Sequence, residues 1–341
     1  MHGLRNWMWA APAVLYFGIA VFGQDPTTSI NGPVLGYIAD SKGSAIQPIR
    51  GILGASAVAT PLPLDSEIRN AVVSPKNDYV LANHSESGET VLIRLGLDSM
   101  TMNSLDGVRA GANVIAISPS ATAAAIYGRD RIVQVLAGLP DSPQIVFEFD
   151  ASDLPGHLRS IAVADDGTLA LLNVAALDNS TLWAVSVNGS RWALPAQRPS
   201  AASFLAGRHD VVIADDAAQE VFLLSNVDQE ASRLPVASFG DGFNAFSGVA
   251  ASGDGLRIFI SSRKSESITI VDLESGVSSV LACNCLSTGF KPLKGTSIFR
   301  LSDPTDGPVA VLDASSAEPR IIIVPVVSAP VGGTSEEVQP Q

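Results

Sequence analysis

The chain has 341 residues, of which 46% are hydrophobic and 16% are charged, and its formal net charge is −13. The acidic balance argues against nucleic acid as a partner, because contact with the phosphate backbone needs clustered Lys and Arg. It also argues against binding to an anionic membrane surface.

The first 23 residues have the composition of a signal peptide. Arg5 precedes an apolar run over residues 7–22, and Val21 and Gly23 are small enough for the −3 and −1 positions of a cleavage site. We predict cleavage after Gly23, and hence a secreted or periplasmic protein that is not inserted in the membrane. The alternative is an uncleaved anchor, although Pro12 interrupts the apolar run.

Composition divides the rest of the chain into three parts. Residues 24–33 form a polar lead. Residues 34–327 are predicted to form one all-β domain, and residues 328–341, rich in Pro, Gly, Glu and Gln, are predicted to be a disordered tail.

The clearest repeat unit lies between residues 246 and 283. Four β-strand patterns follow one another there, at Phe246–Ala251, Leu256–Ser261, Ser267–Leu273 and Val277–Ala282, and an Asp-Gly turn signal separates the first two. Four antiparallel strands in a unit of this length are typical of one propeller blade.

Weaker copies of this unit recur along the chain at a regular distance. Their inner strands end every 42 to 50 residues, at Ser74, Ser118, Ala164, Ala206, Ser252 and Ser302. The period predicts an all-β propeller of about six four-stranded blades, with seven as the alternative. Since the last repeat shows only three strands, we expect Val34–Ile52 to complete it beside Arg320–Val327 and close the ring.

The best repeat also resembles a known repeat class. Residues Ile258–Ser261, Ser267–Leu273 and Gly276 are similar to the repeats of YVTN, NHL and lactonase-like β-propellers, many of them exported. This resemblance implies the fold and two functional classes, extracellular binding proteins and a few lactone hydrolases. No catalytic residue of the hydrolases can be matched to a position of this sequence.

The two cysteines, Cys283 and Cys285, are the only ones in the chain. In an oxidising compartment each is the natural partner of the other, so we predict a disulfide between them. The alternatives are a free pair, or a metal or redox role. A lone C-x-C is a poor metal site, and we expect neither a metal nor a cofactor.

One end of a propeller is formed by the loops between second and third strands and by the connections between blades. The candidate ligand or partner residues that fall in these segments are His84, Arg129, His157, Asp215, Phe243 and Arg263. The alternative is an ordinary solvated rim. His209 falls at the opposite end, where we interpret it as a plain turn residue, and the pair Asp165-Asp166 as a hairpin turn.

These observations favour a monomeric, exported binding module for a protein or saccharide partner. The alternative is a lactonase-like hydrolase acting at the channel mouth. The sequence shows no recognisable nucleophile motif, phosphate loop or metal-binding motif, so the question of catalysis stays open with binding favoured.

Overall fold

The computed structural model describes residues 32–327, apart from 41, 97–99, 178, 241–245, 263–265, 284, 296 and 305–306. This part of the chain contains 27 β-strands and no α-helix. The strands form seven antiparallel sheets in chain order, each one blade of a ring. The all-β propeller prediction is therefore confirmed, with seven blades, the alternative count.

The strand bounds of the first four blades follow. Blade 1 contains β1 (Val34–Ala39), β2 (Ile46–Ile52) and β3 (Ala55–Val58); blade 2 contains β4 (Ile68–Val73), β5 (Tyr79–His84), β6 (Thr90–Leu95) and β7 (Met100–Ser104); blade 3 contains β8 (Ala112–Ile117), β9 (Ala123–Gly128), β10 (Ile132–Ala137) and β11 (Gln144–Asp150); blade 4 contains β12 (His157–Val163), β13 (Leu169–Ala175), β14 (Ser180–Ser186) and β15 (Arg191–Ala193).

The remaining three blades each have four strands. Blade 5 contains β16 (Pro199–Phe204), β17 (Val211–Asp215), β18 (Glu220–Ser225) and β19 (Ser232–Ser238); blade 6 contains β20 (Phe246–Ala251), β21 (Arg257–Ser262), β22 (Ser267–Asp272) and β23 (Ser278–Ala282); blade 7 contains β24 (Lys291–Pro292), β25 (Ile298–Arg300), β26 (Val309–Asp313) and β27 (Arg320–Val324).

Within a blade the strands run from the central axis outward in sequence order. The first strands of blades 2 to 6 contact one another in succession and so surround the axis. The second strands are the most buried; all seven residues of β13 are buried, whereas the outermost strand β23 is mostly exposed. We call the end where the first strands begin the upper end, and the end with the turns between first and second strands the lower end.

The difference between six and seven blades comes from two short or missing strands. Blade 7 is complete, because the two residues of β24 form its innermost strand. The prediction that Val34–Ile52 completes the last blade is therefore wrong, because these strands belong to a separate blade 1. A two-residue strand leaves no alternation to detect in a sequence.

Blade 1 lacks an innermost strand within the described residues, and β1 takes the place of a second strand. The turn between β1 and β2 accepts hydrogen bonds from Asn70 and Ala71 of β4, through the carbonyls of Lys42 and Gly43. In blade 2 the equivalent contact, from Gly111 to the Gly88 carbonyl, is made by the turn between the second and third strands.

The inner edge of β1 is closed by groups from the blades on either side. Such an edge needs partners, because an unpaired backbone group away from water costs free energy. Three hydrogen bonds supply them: Lys294 N to Leu35 O at 3.2 Å, Tyr37 N to Asn77 Oδ1 at 2.6 Å, and Arg300 Nη1 to Ala39 O at 2.9 Å. Asn77 also donates to Pro292 O, so blades 2 and 7 meet directly across blade 1.

The ring is closed by the N-terminal strands, although not by the predicted segment. Val58 of β3 pairs in parallel with Val326, and hydrogen bonds join Val58 to Pro325 and Val327 at 2.9 and 3.1 Å. This adds a fourth length of chain to blade 1. The strand β27 itself pairs only with β26.

The disulfide prediction agrees with the structure, which pairs Cys283 with Cys285 at the end of β23. Their Cα atoms lie 5.0 Å apart, within the usual range for a disulfide. Cys283 is buried in the core between blades 6 and 7, where Phe259 and Phe299 also pack.

Candidate binding site at the upper mouth of the channel

The innermost strands β4, β8, β12, β16, β20 and β24 have an unusual charge balance. They carry Arg69, His157, Arg159 and Lys291, all exposed, and within these described strands there is no Asp or Glu. The whole chain has 34 acidic and 21 basic residues, so the bias toward positive charge is local. The lining of the channel thus differs in sign from the protein around it.

Five of these strands share a β-bulge near their upper end. The register shifts lie between Arg69 and Val72, Ala112 and Val114, Leu158 and Ser160, Pro199 and Ala201, and Phe246 and Gly248. Each bulge contains a polar residue: Asn70, Asn113, Arg159, Ser200 and Ser247. Bulges redirect side chains and are frequent beside functional sites.

The polar bulge residues do not all have the same surroundings. Asn70 donates to Ala112 O of the next blade at 2.8 Å, and the Ser247 hydroxyl donates to that of Ser261 at 2.8 Å. Asn113 and Arg159 are exposed and make no hydrogen bond with the described residues. Of the five bulge residues, Arg159 is therefore the one that is both charged and available to contact a ligand.

The structure places four of the six predicted site residues at the upper end. His84 ends β5, Arg129 follows β9, His157 begins β12 and Asp215 ends β17. Phe243 and Arg263 lie outside the described residues. The four belong to blades 2, 3, 4 and 5, and no direct contact joins them. His84 and Arg129 lie on loops farther from the axis, whereas His157 is next to the inner ring.

Asp215 has a structural role that limits its use as a ligand contact. It is 2% exposed, and its carboxylate accepts four backbone hydrogen bonds. The donors are Gln197 N at 2.6 Å, Arg198 N at 3.0 Å, Ala217 N at 3.0 Å and Ala218 N at 3.3 Å. It holds the connection between blades 4 and 5 against its own loop.

Near Arg129, three neighbouring charged residues form ion pairs with one another. Arg109 forms ion pairs with Asp130 and Glu148, both at 3.1 Å. Hydrogen bonds from Gln134 and from Arg109 hold the pKa of the Glu148 carboxyl below its usual range. Arg129 itself is exposed and has no such contact.

The two histidines of the predicted face do not converge. His84 accepts a weak hydrogen bond from Ser87 N at 3.4 Å, and His157 has no hydrogen-bond partner among the described residues. In the part of the chain that the structure describes, no group of three His, Cys, Asp or Glu is arranged to hold a metal ion. The mouth thus offers cations and amides, which suit the recognition of an anionic or polar group.

The lower end contains a histidine cluster that the sequence did not predict. His209 is not a plain turn residue: its Nδ1 lies 2.8 Å from Asp228 and its Nε2 lies 3.0 Å from Asp166 of the neighbouring blade. Partial burial alone would lower the pKa of His209, but the hydrogen bonds and charges of Asp228 and Asp166 outweigh it and raise that pKa.

The adjacent Asp165 links three blades at the same end. Its carboxylate accepts from Ser120 N at 2.6 Å and Ser120 Oγ at 2.5 Å in blade 3, and from Gly207 N at 2.6 Å in blade 5. The pair Asp165-Asp166 does lie in a turn, as predicted, but both carboxylates also join blades. No sequence signal could show this, because the partners lie about one repeat away.

The fold and this site define the chain as a seven-bladed β-propeller protein. No protein-family model and no curated protein matches the sequence. The solved structures that share the fold include the two described next. A functionally unknown protein from Desulfotomaculum acetoxidans DSM 771 is 13% identical with a TM-score of 0.56, and the match covers 86% of this chain and 100% of that chain.

The second solved structure is a "putative 6-phosphogluconolactonase" from Bacteroides fragilis NCTC 9343. It is 14% identical with a TM-score of 0.57, and the match covers 89% of this chain and 97% of that chain. At these identities the likeness concerns the fold alone. It supports the lactonase-like propeller architecture, while membership of the YVTN or NHL repeat class stays a prediction.

The described residues contain no helix that is long and apolar enough to cross a membrane. The predicted signal peptide and the predicted disordered tail lie outside the described residues.

Proposed function

We infer that the protein is an exported, monomeric β-propeller that binds an acidic partner, a protein or a saccharide, at the upper mouth of its channel. One observation carries this proposal: the six described innermost strands present Arg69, Arg159 and Lys291, and no acid, in a chain with 34 acidic residues. Complementary charge raises association rates and selects partners.

The rigidity of the ring supports a binding role. The upper loops are held by contacts such as those of Asp215 and Arg109, whereas Arg129, His157 and Arg159 remain exposed. A preorganised surface loses less conformational entropy on binding than a mobile one.

The test uses the full mature chain and two acidic probes, polygalacturonate and poly-glutamate, with dextran as the neutral probe. We expect Arg159→Ala to weaken binding to an acidic probe by about five- to tenfold, the effect of losing one charged contact. Lys76→Ala removes an exposed cation at the lower end and is the matched control. Equal losses in both variants would show that the attraction is only a matter of net charge.

Hydrolysis of a lactone is the second candidate function. It is favoured by the shared fold with the Bacteroides fragilis protein and by the exposed His157 close to Arg159 in β12. A panel of sugar lactones, with and without a phosphate group, separates the two functions. Turnover that is lost in His157→Ala would establish the hydrolase and contradict a purely binding role.

A further inference from the structure

We propose that Lys291 and Arg300 form a binding site for a small oxyanion, a phosphate group or a carboxylate, where blade 7 faces blade 1. The site rests on contacts of the described residues alone. It shares Lys291 with the positively charged mouth, but it does not require the partner proposed there.

The first observation is the register of the two cations. Lys291 of β24 and Arg300 of β25 are directly opposed partners. Side chains at opposed positions share one face of a sheet, with Cβ atoms roughly 4.5–5.5 Å apart, and like charges placed there repel each other. The pair is therefore unfavourable unless negative charge lies between or beside the two side chains.

The second observation concerns the direction of that face. Leu293, which directly follows β24, and Ile298 of β25 pack with blade 1, and each lies two residues from one of the cations. Phe290 and Phe299, the chain neighbours of the two cations, pack with blade 6 instead. Because side chains alternate along a strand, Lys291 and Arg300 continue the row that faces blade 1. In that blade the innermost strand is missing from the described residues.

The third observation is the shortage of negative charge nearby. Neither cation is in an ion pair with a described residue. The strands of blade 1 contain no Asp or Glu, and Asp40 at the end of β1 accepts hydrogen bonds from Ser44 and Ala45 of its own turn. Asp303 of blade 7 is the one acid whose charge acts on both cations.

The two side chains are also held in place. The Arg300 guanidinium donates to Ala39 O at 2.9 Å, which orients the group and leaves other N–H donors available. Many protein atoms lie around Lys291, but part of its surface is still accessible to solvent, as expected for a side chain in the wall of a channel. Burial, and then the charge of Arg300, lower the pKa of Lys291, which is the electrostatic effect that a bound anion would reverse.

An oxyanion fits this pair chemically. A guanidinium binds two oxygens of a phosphate or carboxylate through parallel N–H donors, and an ammonium adds a compact charge. An anion held between Lys291 and Arg300 would neutralise their repulsion and would also join blade 7 to the neighbouring blade 1. Binding should therefore raise the thermal stability of the ring.

The experiment measures the melting temperature and the calorimetric affinity of the full mature chain with sodium phosphate, sodium malonate and sodium chloride at equal ionic strength. We expect phosphate or malonate, but not chloride, to stabilise the wild type. Comparison of phosphate with malonate identifies the oxyanion. Lys291→Gln should weaken that binding about tenfold or more, the factor that one charge-assisted hydrogen bond supplies.

Two further variants test whether the anion binds at this pair of cations. Lys294→Gln removes an exposed cation of the same blade and should bind the anion like the wild type. Arg300→Lys keeps the charge but loses the paired donors, and should bind more weakly than the wild type.

Without added anion, Lys291→Gln should melt at the wild-type temperature or above it, because the repulsion with Arg300 is gone. A lower melting temperature would show that Lys291 is structural. An equal response of wild type and Lys291→Gln to all three salts would overturn the site.

Discussion

At the lower end of the ring His209 lies between the carboxylates of Asp166 and Asp228. At the upper end Lys291 and Arg300 are opposed, and neither forms an ion pair with a described residue. Both clusters are close to the boundary between two blades, and both contain charged groups that are partly removed from water. They differ in whether the opposite charge is supplied by the protein itself.

This difference indicates different roles for the two ends. A charge whose partners come from a neighbouring blade contributes to holding the ring together, although exposed pairs contribute little. A repulsive pair of cations destabilises the ring and leaves its donors available to a ligand. We therefore expect substitutions at the lower end to act on stability and those at the upper mouth to act on binding.

The largest expected effect is that of Asn77→Ala in the lower turn of blade 2. Asn77 is 7% exposed, its backbone φ is 57°, and its side chain joins blades 1, 2 and 7. Losing buried hydrogen bonds and placing Ala at a positive φ should lower the free energy of unfolding by about 3 kcal/mol. Denaturant unfolding measures this loss.

Two variants test the cause of that loss. Gly adopts a positive φ without strain, so Asn77→Gly measures the loss of the hydrogen bonds alone. Its free energy of unfolding should fall by less than that of the Ala variant. Asn103→Ala, at an exposed position of β7, should change stability very little. If Asn77→Ala unfolds like the wild type, the closure across blade 1 does not depend on this side chain.

The next effect in size is that of Asp165→Ala. The variant removes the acceptor of Ser120 N, Ser120 Oγ and Gly207 N, and we expect a loss of about 2 kcal/mol in the free energy of unfolding. Asp165→Asn, which keeps one carbonyl acceptor, should lose less. Asp106→Ala serves as the exposed control, and a loss there of similar size would show a general effect of net charge.

A smaller, pH-dependent effect is expected for His209→Gln. The pKa of His209 is raised in the folded state, so its ion pairs stabilise the fold. This contribution to the free energy of unfolding is fully present below the pKa of the unfolded state, about 6.5, and is lost as the pH rises through the pKa of the folded state. Partial burial alone would raise the pKa of Asp166, but Thr168 and His209 outweigh it and lower that pKa. The contribution of Asp166 is therefore lost only as the pH falls through a value below 3.8.

The free energy of unfolding of His209→Gln should therefore be lower than that of the wild type by about 1 kcal/mol or less at pH 5.5, and by almost nothing at pH 9. Denaturant unfolding of wild type and His209→Gln at both pH values measures the difference. His84→Gln, at the upper end, is the matched histidine control. A loss that is the same at both pH values would indicate packing rather than charge.

The smallest effect on stability is expected at the upper mouth. Arg159→Ala should change the free energy of unfolding by less than about 0.5 kcal/mol, because the side chain is exposed and makes no hydrogen bond with the described residues. Thermal unfolding checks this. A loss comparable to that of Asp165→Ala would contradict the division of roles between the two ends.

The sequence by itself determined the features that depend on near neighbours. Alternating apolar residues and Gly or Asp turns repeat often enough to predict the strands and the propeller, as in Phe246–Ala282. The pairing of Cys283 with Cys285 could be predicted because they are the only two cysteines of the chain and lie two residues apart. The general placement of His84, Arg129 and His157 at one end also followed from strand order, since successive strands of a blade run in opposite directions.

Only the tertiary structure decided the features that depend on closure of the ring. The sequence favoured six blades and kept seven as the alternative, because β24 has only two residues and β1 occupies the place of a second strand. Asp166, His209 and Asp228 come from different turns, and Lys291 reaches Arg300 across a strand pair too short to recognise. A hydrophobic pattern in the sequence indicates which face of a strand is buried, but not which blade packs against it. The packing of neighbouring blades determines which charged side chains meet.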